Sequence, residues 1–302
     1  MEVFPPIPLS AWAPTKDTLH RLAQIVGKVR LAHTPMRNHW WNVPFHVTGR
    51  GITTRPMGTD VIFTIDFDFV DHRLEIATLS GDRVSFALPG LSVAEFYDRL
   101  MKSLASLSIE VSIRAVPFDL PDATPFAEDV AHHHYEPFWV NRYWQVLSQV
   151  ALVLEEFAGR SYAKTSPVHH FWHTFDLAVT RFSDRTVEHV DTADAVTREA
   201  YSHEVVSAGF WFGDATVPEP AFYSYTAPEP AGLTDEPLRP QAARWINSRG
   251  AHLALLTYDD ARATTDPRST VLDFLESAYR AGASRAGWDL TALRCSYAPE
   301  PG

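Results

Sequence analysis

Three histidines, an aspartate and an arginine lie within the segment SPVHHFWHTFDLAVTRF, residues 166–182. Imidazole and carboxylate groups serve as general acids and bases, or as ligands of zinc and iron. Alternating apolar residues after Pro167 predict a strand across 169–182. In a strand, His169 and His173 would stand about 13 Å apart at ~3.3 Å per residue. One zinc ion binds imidazoles at ~2.1 Å, so this segment alone does not predict a metal site.

A composite site stays open because antiparallel neighbours bring distant segments of a chain together. The segment REAYSHEVVS contains the pair His203–Glu204, and His39 follows the first predicted helix. We therefore predict that His169, His203 and Glu204 are catalytic. The same chemistry suits a divalent metal such as zinc, iron or manganese, with His39, His169, His203 and Glu204 as its ligands. The alternative is that these histidines are structural and form hydrogen bonds at strand ends.

Tryptophans lie close in sequence to these histidines and suit an aromatic-walled pocket for a small organic molecule. The residues expected to bind this ligand are His39, Trp41, Trp172, Asp176 and Arg181. The other interpretation places the tryptophans in the core and gives Asp176 and Arg181 structural ion pairs.

Hydrophobic periodicity predicts the elements that must position these residues. Helices are predicted at 18–33, 92–107 and 140–159, with a last one starting at Asp266-Pro267; Ser92 followed by Glu95 is a capping box. Strands are predicted at 61–69, 109–116, 169–182, 204–213, 221–227 and 252–258, with a hairpin at 73–88.

Both halves of the chain run from a helix through antiparallel strands to a helix. This order predicts an α+β fold of two pseudo-repeated helix–antiparallel sheet–helix halves, with the helices packed on one face of a curved sheet. The expected divisions are 1–120, a proline-rich acidic connector at 121–137, and 138–302, together forming one compact unit.

The amino-acid composition narrows the classes of molecule that the protein is expected to bind. The chain has 302 residues and a formal net charge of −11, with lysines and arginines spread along it. This balance disfavours nucleic acid and anionic membranes. The single cysteine, together with an N-terminus that does not resemble a signal peptide, predicts a cytoplasmic location.

Several segments together resemble the domain-of-unknown-function 5996 family. They are TLHRLAQIVGKVRLAHTPMRNHWWNVPFHVTGRGITT, KTSPVHHFWHTFDLAVTRFS, DAVTREAYSHEVVSAGFW and AFYSYTAPEP. The family pattern reads SPVHFFWGSFDLAVTRFSGR, so His169 matches it, whereas His170 and His173 replace other residues. The resemblance shifts attention to His169 with Trp172, Asp176 and Arg181, and it also includes the YSHE segment. It implies no catalytic role, because the family has no assigned function.

Two functions follow as hypotheses. The first is an enzyme or enzyme-like protein that binds a small polar or aromatic molecule in a His-, Trp- and Glu-lined pocket between the two halves, with acid–base or metal-assisted chemistry. The second is a non-catalytic binding or scaffold module whose exposed sheet face binds a partner or forms a homodimer. Neither hypothesis includes nucleic acid or a membrane.

Overall fold

A computed structural model describes residues 2–188, 194–248 and 250–295. These residues form an α+β protein, as the sequence predicts, with two antiparallel sheets. Its helices are α1 (Leu9–His33), α2 (Val93–Ser106), α3 (Pro137–Gly159), α4 (Ala195–Ala200), α5 (Tyr258–Arg262), α6 (Pro267–Arg285) and α7 (Leu290–Leu293). Over these ranges we find no helix that combines the length and the apolar character needed to cross a bilayer.

The strands form a five-stranded and a seven-stranded sheet. The first has the order β1-β2-β3-β4-β5, with β1 (His46–Val47), β2 (Gly51–Thr53), β3 (Phe63–Asp68), β4 (Arg73–Thr78) and β5 (Arg83–Ala87). The second contains β6 (Lys164–Thr165), β7 (His169–Phe171), β8 (Asp176–Thr186), β9 (His203–Trp211), β10 (Ala221–Ala227), β11 (Arg244–Ser248) and β12 (Ala251–Thr257). Its order is β11-β12-β10-β9-β8-β6, and β7 pairs with β8.

The chain divides into two compact units. Unit 1 comprises Met1–Pro6, Gln149–His169 and Leu177–Gly302, and unit 2 comprises Ile7–Ser148 and His170–Asp176. The chain therefore passes from unit 2 to unit 1 within α3, and the short segment His170–Asp176 returns to unit 2. Residues 121–137, expected to connect two halves, belong to unit 2.

Unit 2 is built from α1, α2 and the five-stranded sheet. Helix α1 forms as predicted but begins at Leu9, earlier than residue 18. In β3, Phe63, Ile65 and Phe67 are buried, as the alternation predicts. The predicted capping box also forms, with Ser92 Oγ accepting from the Glu95 backbone and the Glu95 carboxylate accepting from the Ser92 backbone.

Two strand predictions are wrong. Residues 109–116 do not form a strand, because in the described structure no neighbouring strand pairs with them. The single strand predicted at 169–182 is instead a hairpin, in which a turn at 172–175 separates β7 from β8. Phe175 at the end of this turn has φ 58°, in the left-handed region, and its N–H donates to the carbonyl of Phe171 at 2.8 Å.

Unit 1 contains most of the seven-stranded sheet, and α6 packs on β9 and β10. Gly282 in α6 permits this close packing, because a Cβ there would lie 1.9 Å from Oγ1 of Thr226 in β10. Strand β11 was not predicted; its residues are exposed or half-buried, so they lack a regular hydrophobic alternation.

Candidate functional site

The turn of the β7–β8 hairpin packs against α1 within unit 2. His20, in α1, donates its Nε2–H to the carbonyl oxygens of Trp172 at 3.0 Å and His173 at 3.1 Å. Its ring stacks on Phe175 with 4.8 Å between centroids. Burial, with a smaller contribution from the charge of Lys16, lowers the pKa of His20 to about 3. His20 is therefore a neutral donor that holds the turn on the helix.

Two further residues on the same face of α1 complete this contact. Gln24 follows His20 by one turn, and Gly27 follows by two. A Cβ at Gly27 would lie 2.2 Å from Cγ of Trp172, so only glycine leaves room for the indole ring. Gln24 exchanges two hydrogen bonds with the backbone of Phe118, at 2.9 Å and 2.7 Å. The face of α1 thus positions both Trp172 and Phe118.

These contacts bring together a group that we call the Trp172 cluster: Lys28, Phe118, Trp172 and His173. The ring centroids of Phe118 lie 6.5 Å from Trp172 and 6.0 Å from His173, and those of Trp172 and His173 are 5.6 Å apart. Nζ of Lys28 lies 5.7 Å from the centre of the Trp172 ring. Phe118 is 46% exposed, although its side chain is large and apolar. The cluster therefore combines the exposed ring of Phe118 with a buried indole and a half-buried cation.

Polar groups of the Trp172 cluster have unused binding capacity. Nε1 of Trp172 is buried and has no hydrogen-bond acceptor in the described ranges. No carboxylate there forms an ion pair with Lys28, whose pKa is lowered by burial and then by Arg114. A buried donor without an acceptor costs about 1–3 kcal/mol. An acceptor group on a ligand or a water molecule would offset this cost.

His173 is the titratable ring of the Trp172 cluster. Burial lowers its pKa, and the carboxylates of Asp176 and Asp119 act in the opposite direction. The imidazole is therefore neutral near pH 7 and half-buried, with carboxylates nearby that would stabilise its protonated form. These are the properties of a general base.

His170 is held in the core by a chain of hydrogen bonds. Its Nδ1–H donates to the carbonyl of Asp176 at 2.8 Å, so Nε2 accepts from the hydroxyl of Tyr143 at 2.6 Å. Both side chains are fully buried. Burial lowers the pKa of His170 and raises that of Tyr143, which keeps both groups neutral. The pair fixes the base of the hairpin.

The predicted ligand-binding residues are placed in different ways. Trp172 belongs to the Trp172 cluster, and Asp176 influences it electrostatically while accepting a hydrogen bond from Thr174 on its side chain. His39 is buried with φ 56°, and its ring lies 5.6 Å from that of Trp41. The role of His39 and Trp41 as ligand-binding residues stays a prediction.

Arg181 has a structural environment in unit 1. Its guanidinium lies 3.6 Å from the centre of the Phe157 ring and 4.2 Å from that of Tyr279, and it donates to the Phe157 carbonyl. Oε1 of Glu276 lies 3.5 Å from Nη2 of Arg181. Burial lowers the pKa of Arg181, an effect that Glu276 opposes. These contacts favour the structural interpretation of Arg181.

The three predicted catalytic residues belong to unit 1. His169 is 2% exposed, which leaves little of its ring open to a substrate. His203 and Glu204 are successive in β9, so their side chains point to opposite faces of the sheet. The Glu204 carboxylate accepts from Nε1 of Trp288 at 2.8 Å and pairs with Arg185 at 2.9 Å. The two β9 residues therefore cannot act on one substrate atom together.

The predicted metal site is not assembled. Across residues 2–188, 194–248 and 250–295, no three histidine, cysteine, aspartate or glutamate side chains are grouped so that they could hold a metal ion. The four expected ligands, His39, His169, His203 and Glu204, thus do not form one site. Two of the four, His203 and Glu204, point to opposite faces of β9, and Glu204 already has other partners, which explains why these two do not share a metal.

Sequence reasoning missed Lys28, Phe118 and the proximity of His173 to them. Lys28 comes one position after the buried residue Gly27 of α1 in the sequence. Phe118 lies in an irregular segment about ninety residues further on. A glycine at position 27 in an otherwise good helix is the one local sign of a close contact. The contact itself depends on a turn that the sequence pattern did not predict.

Comparison with known proteins gives one match. The chain matches a family of unknown function, DUF5996, over residues 4–295. Among the curated proteins no match was found. No solved structure matched either.

Proposed function

Because the chain belongs to the DUF5996 family of unknown function, we propose a function from the Trp172 cluster alone: it binds a small aromatic molecule that carries an anionic group. The observation that carries this proposal is the buried Trp172 N–H beside the Lys28 ammonium, since neither donor has an acceptor or a carboxylate partner among the residues that the structure describes. Both donors would serve an anionic substituent, and the exposed ring of Phe118 would contact the aromatic part.

His173 adds acid–base chemistry to this proposal. A neutral imidazole beside the bound ring can remove a proton from the ligand, and Asp119 and Asp176 stabilise the imidazolium that results. We accordingly propose an enzyme or enzyme-like protein in which His173 is the base. His169, His203 and Glu204 stay predictions as catalytic residues of unit 1.

A thermal-shift titration with benzoate, 4-hydroxybenzoate and indole-3-acetate tests the proposed binding, with benzyl alcohol as the uncharged reference. We expect at least one carboxylate to raise the melting temperature of the wild type. Lys28→Gln should weaken its binding about tenfold or more, since it removes a charged hydrogen bond. Trp172→Phe keeps an aromatic ring, removes the N–H donor and should also weaken binding.

The matched control is Lys102→Gln, which removes the same charge from an exposed position in α2. It should bind the carboxylates as the wild type does. If the wild type binds none of the probes, or if Lys28→Gln and Trp172→Phe bind them unchanged, the Trp172 cluster is not the ligand site. The scaffold hypothesis, with a partner or homodimer on an exposed sheet face, would then be the better one.

The finer features read from the sequence also remain proposals. They are the origin of the fold by internal duplication, the cytoplasmic location and the homodimer. A sedimentation-velocity measurement of the purified chain would test the last of these.

A further inference from the structure

Arg30, in the last turns of α1, is a buried cation without a partner among the described residues. The residue is 5% exposed, and its Nε and Nη1 are inaccessible to solvent and have no hydrogen-bond acceptor in the described part of the chain. No described carboxylate forms an ion pair with it. Buried arginines are normally paired, because removing a charge from water is costly.

The backbone around Arg30 does not supply the missing acceptors. Three carbonyls near the end of α1 already accept from other groups. Val29 accepts from Nδ1 of His33, Arg30 accepts from Oγ1 of Thr34, and His33 accepts from the N–H of Gly58. These backbone carbonyls thus form hydrogen bonds with groups other than the guanidinium of Arg30.

Two more arginines lie in the loops that follow α1, and hydrogen bonds tie both loops to the end of this helix. Arg37 lies in a loop that Asn42 closes, since the Asn42 side chain bonds to Thr34 and accepts from the N–H of Arg37. Arg55 lies in the segment that Gly58 ties to the end of α1. Both arginines are exposed and have no described ion-pair partner.

The three positive charges act on one another. The pKa of Arg30 is lowered to about 10, first by burial and then by the charges of Arg55 and Arg37. The chain as a whole is negatively charged, with a net charge of −11, whereas this group of three arginines is positively charged. Mutual repulsion and burial both destabilise this group, and an anion would relieve both.

We propose that Arg30, Arg37 and Arg55, here called the Arg30 cluster, bind an oxyanion, a phosphate or carboxylate group of a small molecule. A guanidinium presents planar N–H donors whose spacing matches such a group. Arg30 supplies N–H donors that are shielded from water, where hydrogen bonds to an anion are strongest. The two exposed arginines attract the anion and cover it. This site is separate from the Trp172 cluster and does not depend on the function proposed there.

Titration of the full chain with inorganic phosphate, methyl phosphate and acetate tests the proposal, by calorimetry and by thermal shift, with sodium chloride at matched ionic strength as the reference. We expect phosphate or acetate to bind the wild type and to raise its melting temperature beyond the effect of chloride. Arg30→Met should weaken this binding about tenfold or more, and Arg37→Gln and Arg55→Gln should each weaken it several-fold. Preference for the phosphates would identify a phosphorylated ligand, and preference for acetate a carboxylate.

Arg83→Gln is the matched control, because Arg83 is an exposed arginine of β5 in the same unit. It should bind the anion as the wild type does. Without anion, Arg30→Met should be at least as stable as the wild type, since it removes an uncompensated buried charge. A structural role for Arg30 predicts the opposite.

Two results would overturn the proposal. One is a wild type that responds to phosphate and acetate no more than to chloride, which would mean that water alone fills the site. The other is an equal response of the wild type, Arg30→Met, Arg37→Gln and Arg55→Gln. Should Arg30→Met fail to fold, the two exposed arginine variants decide the question.

Discussion

His20 makes the stability of this protein depend on pH in a defined direction. The imidazole is buried and donates to two carbonyls of the hairpin turn, and its pKa is about 3. In the unfolded chain its pKa returns to ~6.5. Below pH 6.5 His20 takes up a proton in the unfolded chain, whereas in the folded protein it does so only near pH 3. Acid therefore favours unfolding. The contribution is complete above pH 6.5 and is lost as the pH falls toward 3.

The magnitude follows from the two pKa values. Relative to pH 8, this one group lowers the free energy of unfolding by about 2 kcal/mol at pH 5 and by about 3 kcal/mol at pH 4. Such a loss is a large part of the ~5–15 kcal/mol that stabilises an ordinary domain. His20→Gln keeps an N–H donor at similar reach and does not titrate, so it should lose most of this dependence.

Urea unfolding of the wild type and His20→Gln at pH 8, 6, 5 and 4 measures the effect. We expect the two curves of free energy against pH to converge or cross as the pH falls, with a slope difference approaching one proton. His134→Gln is the control, because His134 is exposed, and it should follow the wild type. Parallel profiles for the wild type and His20→Gln would show that burial does not lower the pKa of His20 in the folded protein, and would refute this reasoning.

Two further predictions concern contacts of each unit. Gly27→Ala should destabilise unit 2 by about 1–3 kcal/mol and change the fluorescence of Trp172, because the new Cβ would overlap the indole ring; a stable variant with unchanged emission would contradict the packing described. Glu204→Ala should cost about 1–3 kcal/mol in urea unfolding, since it leaves the buried N–H of Trp288 without its acceptor. Glu204→Gln should cost much less, and an equal loss in both variants would mean that the ion pair with Arg185 matters more.

The parts of the fold that the sequence predicted are those with local causes. The capping box at Ser92 and Glu95 depends on residues three apart, and the alternation in β3 places its own phenylalanines in the core. Residues 109–116 alternate equally well, yet a strand also needs a partner, and the sequence does not say whether one is available. The single-strand prediction for 169–182 failed for a similar reason.

The turn at 172–175 contains no glycine or proline to mark it. It is stabilised by His20, whose contact spans about 150 residues, and by the space that Gly27 leaves for an indole. Trp172 and Asp176 were nevertheless expected to take part in a site, because their chemistry is visible in the sequence. Lys28 and Phe118 were not, because only the folded chain brings them to the same ring.

The division of the chain between the units has a consequence for biosynthesis. Unit 2 takes most of its residues from Ile7–Ser148, but its α1 face is covered by His170–Asp176. A growing chain that has reached residue 148 therefore carries His20 and Gly27 without the turn that they contact. The first unit to begin folding cannot be completed until the ribosome has also made the opening strands of the other. A fragment that ends within α3 would, for the same reason, contain an incomplete unit 2.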